Sequence, residues 1–208
     1  MNRTLIVGIG GFCRQIEYHY SQWEDEPSPI FFDNTVNIKE YNGYEVINTL
    51  DYLSKDITHF VIADSNPQHR KRLTQMCLSL GLLERNIITV DINIPYSSFT
   101  KMSKNCIILR YSLIEPNVSI GYGCLLNTRV SLHHDVKLGE YVTISPNATI
   151  LGNVEVGNNS FIGAGSIIRE KTKIGNNCIV GMGSVVLKDI TDDEVWVGNP
   201  ARYLRKNS

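Results

Sequence analysis

One periodicity dominates this 208-residue chain. From Met102, every sixth residue is a large apolar side chain: Ile108, Ile114, Ile120, Leu126, Leu132, Leu138, Ile144, Ile150, Val156, Ile162, Ile168, Ile174, Val180 and Val186, fifteen positions without a break. Four residues after each stands a mainly small or short one, from Cys106, Ser112 and Val118 to Ser184 and Ile190. An α-helix needs apolar spacings of three and four, and a half-buried strand needs alternation, so a sustained period of six excludes both. The remaining solution is a parallel β-helix, whose large residues fill the axis, whose small ones fit the corners, and whose coils bury one another's cores. Glycine follows the repeat position at Gly121, Gly139, Gly157, Gly163, Gly175 and Gly181. These glycines are expected to serve the tight corners.

The residues before the repeat read as a small α/β unit with a parallel sheet. "TLIVGIGGF" runs a strand, Leu5 to Val7, into Gly8, Gly10 and Gly11, and a helical pattern follows with Phe12, Ile16, Tyr20 and Trp23 on one side. A second strand, Ile30 to Phe32, ends at Asp33, and a third covers His59 to Ala63. A helix follows, with Asn66 as cap, Pro67 in its first turn, Leu73, Met76, Cys77 and Leu80 as apolar stripe, and Gly81 at its end. Ile87 to Val90 is expected as the last strand of this sheet, leading through Pro95 into the hexads. The domain reading is 1–94 for a Rossmann-like unit, 95–101 for a linker, 102–190 for the β-helix and 191–208 for a tail. Gly8 and Gly10 match the first two glycines of G-x-G-x-x-G, but Cys13 takes the third place. That departure favours some other nucleotide-bearing ligand at the strand ends over a nicotinamide cofactor, because bare backbone amides and a helix start suit a diphosphate.

A net charge of −1 offers no electrostatic case for nucleic acid or a membrane surface. No apolar run approaches the roughly 18 residues of a membrane span. The start, MNRTLIVGIG, enters a strand pattern rather than a signal peptide, so a cytoplasmic protein is expected. The five cysteines have no metal-like spacing and are read as small buried hydrophobes, with no metal expected.

"VSLHHDVKLG" interrupts this regular pattern with His133, His134 and Asp135. An imidazole of ordinary pKa, about 6.5, is suited to accept a proton near neutral pH. A neighbouring carboxylate can orient the ring and stabilise its cation. Taken alone, the same residues also fit an exposed polar edge.

The hexads resemble those of the left-handed β-helix acyltransferases, whose coils are three hexads long. The resemblance implies about five coils over 102–190, with Cys106, Cys124 and Cys178 stacked along one corner. Joined to the N-terminal unit and the ending "VWVGNPAR", they resemble the bacterial nucleotide-amino-sugar N-acetyltransferases of the sialic-acid O-acetyltransferase-like group. The resemblance implies a homotrimer with acetyl-CoA, as co-substrate, in the groove between subunits, and a nucleotide-linked amino sugar held by the N-terminal unit. The amine of that sugar, expected as a UDP- or dTDP-linked 4-amino-4,6-dideoxyhexose for surface glycan synthesis, receives the acetyl group. Within "LLNTRVSLHHD" it implies His134 as general base with Asp135, and Asn127 beside the substrate; His133 is expected to be a neighbour only. Gly10, Gly11, Phe12, Asp33, Asn34 and Ser65 would line the nucleotide-sugar site, though family members often carry histidine at the Phe12 position. Thr143, Ala164 and Met182 would meet acetyl-CoA, Thr143 standing where some members have a second histidine, and Arg202, Arg205 and Lys206 would reach its phosphates. O-acetylation of a sialic acid or related sugar is the alternative. A hydrating metal enzyme would need three histidines across the coils, where only His133 and His134 occur, and a non-catalytic nucleotide-sugar sensor would not need His134 beside an acid.

Overall fold

The computed structural model describes residues 2–21, 26–51, 53–89, 91–92 and 100–207. The chain divides into two compact units, Met1–Ser65 with His69–Asn86, and Asn66–Gln68 with Ile87–Ser208. Trp23, Val90 and Pro95, named above, lie outside the described residues. Among the described residues no helix is long and apolar enough to cross a membrane.

The first unit is a six-stranded sheet. Its strands are β1 (Arg3–Val7), β2 (Ile30–Phe32), β3 (Glu40–Tyr41), β4 (Tyr44–Ile47), β5 (Ile57–Ile62) and β6 (Leu83–Glu84), in the order β3-β4-β2-β1-β5-β6. All neighbours run parallel except the β3–β4 hairpin. The central strands end in apolar runs because both faces are covered there: Leu5, Ile6, Phe31, Phe60 and Val61 are fully buried. Helices α1 (Cys13–Tyr20) and α2 (Pro67–Ser79) belong to this part of the chain. Asn66 caps α2 by accepting the Gln68 N–H at 3.0 Å, and Gly81, at φ +79°, ends it in the left-handed conformation that glycine adopts at least cost. Leu73, Met76 and Cys77 pack on the sheet's core. Leu80 does not; the helix stops at Ser79, so Leu80 leaves the stripe and is 42% exposed.

The second unit is a β-helix. Two-residue strands recur from Lys101–Met102 to Val185–Val186 and pair in parallel with the strand eighteen residues on, as in Leu125↔Thr143 and Ser131↔Thr149. Three sheets result. From Ile108 to Val186 every repeat residue is buried, and so is every small position, which together make one continuous core. Five polar occupants of that core are satisfied by the next coil: Ser112, Ser160, Ser166, Cys106 and Cys124 each donate to the carbonyl fifteen residues ahead, whereas the buried Thr172 hydroxyl has no partner among the described residues. This explains how serine and cysteine alternate with valine at one packing position.

Two expectations change. Ile87–Ile88, here β7, pairs with Ile107–Ile108 of the β-helix rather than with the N-terminal sheet, whose last strand is β6. The sheet that contains Ile107–Ile108 would otherwise end there with an unpaired backbone edge, and β7 covers it. The glycines that follow the repeat positions do not turn the corners. The left-handed residues sit two places further on, at Asn105, Tyr111, Asn117, Arg129, Asp135, Tyr141 and Asn147 among others, with asparagine prominent because its short polar side chain tolerates that conformation. Gly121 and Gly157 instead allow coils to approach: a Cβ added to Gly121 would collide with Gly139 O, and one on Gly157 would lie 2.6 Å from Asn176 N. At the far end, Glu194–Val197 and Arg202–Lys206 form an antiparallel pair that continues one sheet, and Trp196 closes the core.

Candidate functional site

In the first unit the chain order and the spatial order diverge at β1, which lies between β2 and β5. Such a switch point opens a crevice at the carboxyl ends of the strands. A cavity of 490 Å³ occupies that position, and Gly10, Gly11, Phe12, Asp33, Asn34 and Ser65 all line it. Six residues of the sequence reading, from three stretches of the chain, thus meet in one cavity. A Cβ on Gly10 or Gly11 would meet nothing within 4 Å, so their backbone borders open space. The adjoining α1 has no side-chain cap at its N-terminus. The arrangement suits an anionic group.

Asp33 organises the rim. Its Oδ2 accepts the Ile9 N–H at 3.0 Å, and its Oδ1 accepts the Thr35 N–H at 2.8 Å and the Thr35 hydroxyl at 2.6 Å. Burial pushes its pKa up, but these hydrogen bonds outweigh burial and hold it below the ordinary value. Thr35, Asp64, His69 and Arg72 line the cavity too and were missed in the sequence. The spacing of His69 and Arg72, three residues apart on one helix face, was the available signal. Cys13, at the third glycine position, is buried, and burial pushes its thiol up to about 12. It packs as an inert hydrophobe.

In the β-helix, the corner after Ser131–Leu132 carries both histidines. His134 Nδ1 lies 2.9 Å from Asp135 Oδ2. Hydrogen bonding to His134, and then to Asn117, holds the Asp135 carboxyl below its usual range. Asp135 is therefore ionised near neutral pH and acts as an acceptor only, so Nδ1 donates and Nε2 carries the lone pair of the neutral ring. His134 is half exposed, with 58% of its side-chain surface free. His133 Nδ1 instead lies 3.2 Å from Glu115 Oε1. Gly152, one coil on from His134, makes room for the imidazole: a Cβ there would sit 2.6 Å from both Cε1 and Nε2.

Asn127 is nearly buried, and its Oδ1 accepts the Thr128 N–H at 2.7 Å. Thr143 is only 1% exposed, so its side chain has almost no open surface in the single chain. Ala164 and Met182 are exposed and stacked one above the other, the Gly183 N–H donating to Ala164 O at 2.8 Å. They follow strands Phe161–Ile162 and Ile179–Val180, whereas His134 follows a strand of a different sheet. The two groups thus occupy different edges of the β-helix. In the tail, the guanidinium groups of Arg202 and Arg205 bond to the carbonyls of Ala201 and Lys206, and Lys206 Nζ to that of Asp192.

Residues 104–202 match the family described as the GMPPB C-terminal domain. The chain is 31% identical over 158 residues to GDP-perosamine N-acetyltransferase of Escherichia coli O157:H7, an alignment covering 71% of this chain and 69% of that protein. Its fold superposes on the acetyltransferase domain of PglB from Neisseria gonorrhoeae, solved with acetyl coenzyme A, with a TM-score of 0.90 and 27% identity over 98% of this chain and 100% of that one. PerB from Caulobacter crescentus, solved with CoA and GDP-perosamine, shares the fold at TM-score 0.87 and 23% identity, over 99% and 98% of the two chains. The interrupted hexads, the lined cavity and these likenesses converge: the chain belongs to the hexapeptide-repeat, left-handed β-helix family of nucleotide-sugar N-acetyltransferases, enzymes that use acetyl-CoA as co-substrate.

Proposed function

We propose that His134 is the general base that lets the amine of a nucleotide-linked amino sugar take the acetyl group of acetyl-CoA. The carrying observation is the 2.9 Å contact of Nδ1 with Asp135, which leaves Nε2 as the basic nitrogen on an exposed edge. As the amine attacks the thioester carbon, a C–N bond forms and the C–S bond breaks. The amine's proton passes to Nε2 and from there to the departing thiolate, while Asp135 stabilises the transient imidazolium.

The cavity of the Rossmann-like first unit takes the nucleotide sugar. Asp33, Asn34 and Ser65 offer polar contacts, and the open backbone of Gly10 and Gly11, beside Phe12, accepts the diphosphate. Asn127, on the β-helix, keeps its assignment to the substrate. The UDP- or dTDP-linked sugar expected from the sequence is joined by a GDP-linked one, because the 31% identical relative bears the name of a GDP-sugar enzyme. Ala164 and the apolar, 82% exposed Met182 receive the pantetheine arm of acetyl-CoA. Buried Thr143 has no direct part in that contact. A homotrimer unites the pieces: the base and the pantetheine surface occupy different edges of one chain, so a second copy brings them together. Five free, buried cysteines fit a reducing compartment, the cytoplasm.

The test measures acetyl-CoA consumption with UDP-, dTDP- and GDP-linked amino sugars, each against its hydroxyl analogue. Turnover of the amine alone supports N-acetylation, and preference for the hydroxyl supports the O-acetyltransferase alternative. His134→Ala should lower kcat by about 10²–10⁴-fold with KM little changed, and the histidine limb of the pH profile should vanish. His133→Ala should cost much less; the reverse ranking would overturn the assignment.

A further inference from the structure

We propose that Glu115 is a positioning residue for the His134–Asp135 pair, acting from the preceding coil. This rests on the reading of His134 as base. One carboxylate reaches both histidines: Oε2 accepts the backbone N–H of His134 at 2.9 Å, and Oε1 lies 3.2 Å from His133 Nδ1. Glu115 is eighteen residues before His133, so the parallel register of Leu113–Ile114 with Ser131–Leu132 delivers it to this corner. Asn117, eighteen before Asp135, donates to Asp135 Oδ1 at 3.2 Å from the same coil.

The geometry explains why this corner needs outside support. Asp135 is in the left-handed conformation at φ +62°, so small backbone rotations there swing the carboxylate and the ring it holds. The Glu115 bond anchors the peptide immediately before that turn, and His133 is the strut that holds Glu115 in place. On the other side, Gly152 lies against the imidazole, where a Cβ would sit 2.6 Å from Cε1 and Nε2. Glu115 touches neither ring nitrogen of His134, so its effect passes through the placement of Nε2.

Three variants separate geometry from charge. Glu115→Gln keeps the length and an acceptor for the His134 N–H while removing the charge. Glu115→Asp keeps the charge and shortens the reach, and Glu115→Ala removes both. Misplacement of a catalytic group by about 1 Å costs up to roughly 10²-fold. The expected result is therefore a kcat loss of roughly 10- to 100-fold in Glu115→Ala and Glu115→Asp, with KM for acetyl-CoA and sugar nearly unchanged, and near-parent kcat in Glu115→Gln. Thermal melts of all three verify folding, and the isosteric Gln variant keeps the comparison decisive if Ala unfolds. Equal loss in Gln and Ala, a silent Asp variant, or an unchanged kcat throughout would overturn the proposal. His134→Ala is measured alongside. If it is inactive while the Glu115 series is silent, only the positioning role falls; if it retains parent activity, the base reading falls and takes this inference with it.

Discussion

Asp33 is engaged on both oxygens before any ligand arrives, so it joins the glycine loop to the end of β2 as well as lining the cavity. Because its hydrogen bonds outweigh burial, the folded protein holds this proton less tightly than the unfolded chain does. Its contribution to stability is then complete above the unfolded carboxylate value of about 3.9 and is lost as pH falls through the lower folded value. Asp33→Asn should melt below the parent near pH 7, and the gap should close as pH falls below the unfolded carboxylate value of about 3.9. Melting curves across that range verify it; a gap that stays constant would show that the charge contributes nothing. The same variant should raise KM for the nucleotide sugar and leave that for acetyl-CoA nearly unchanged, since Asp33 lines the cavity of the first unit.

The coils depend on two kinds of glycine for different reasons. Gly165 has φ +66° with open space where a Cβ would stand, whereas Gly157 has no such conformation but a Cβ built on it would lie 2.6 Å from Asn176 N and 2.7 Å from Gly175 O. At Gly165 an asparagine should cost little, because asparagine occupies the equivalent corner at Asn147 and Asn159. Gly157→Ala should force neighbouring coils apart and destabilise by about 1–3 kcal/mol or more. Denaturant melts of the two variants compare them directly. A larger loss at Gly165 would mean that backbone conformation, not coil spacing, governs the solenoid.

The β-helix presents unlike faces. Lys137, Glu155 and Lys173 form a charged ladder on one face, with Glu155 3.1 Å and 3.5 Å from the two lysines, and the Glu155 carboxyl is held below its usual range by Lys137 first and then Lys173. Another face carries Leu113, Ser131, Thr149, the 42% exposed Ile167 and Val185. A ladder of charges is satisfied by water, while a strip of small and apolar groups gains by being covered. The proposed trimer should use the apolar face, with light scattering giving about three times the 23.4 kDa chain mass. Ile167→Glu should shift the mass toward the monomer and abolish turnover, because no second copy then brings a pantetheine surface to the base. A fully active monomer would overturn this reading.

The β-helix was legible because each coil repeats one packing problem: a period of six names the core residues from Ile108 to Val186 without reference to anything distant. The gathering of Gly10, Asp33 and Ser65 was legible for a similar reason, since each ends a parallel strand or begins the turn after it, and parallel strands end at one edge. Long-range partnership was not. The pairing of Ile87–Ile88 with Ile107–Ile108, the part of Glu115 beneath the histidines and the room left by Gly152 all join residues of different coils. Local propensity is the same whichever sheet edge Ile87 completes, and a glutamate one coil away reads as surface charge until the register sets it against a particular backbone N–H. Only the stacked coils, where each strand's neighbours are chosen by shape and by unpaired backbone groups, decide which of those meetings occur.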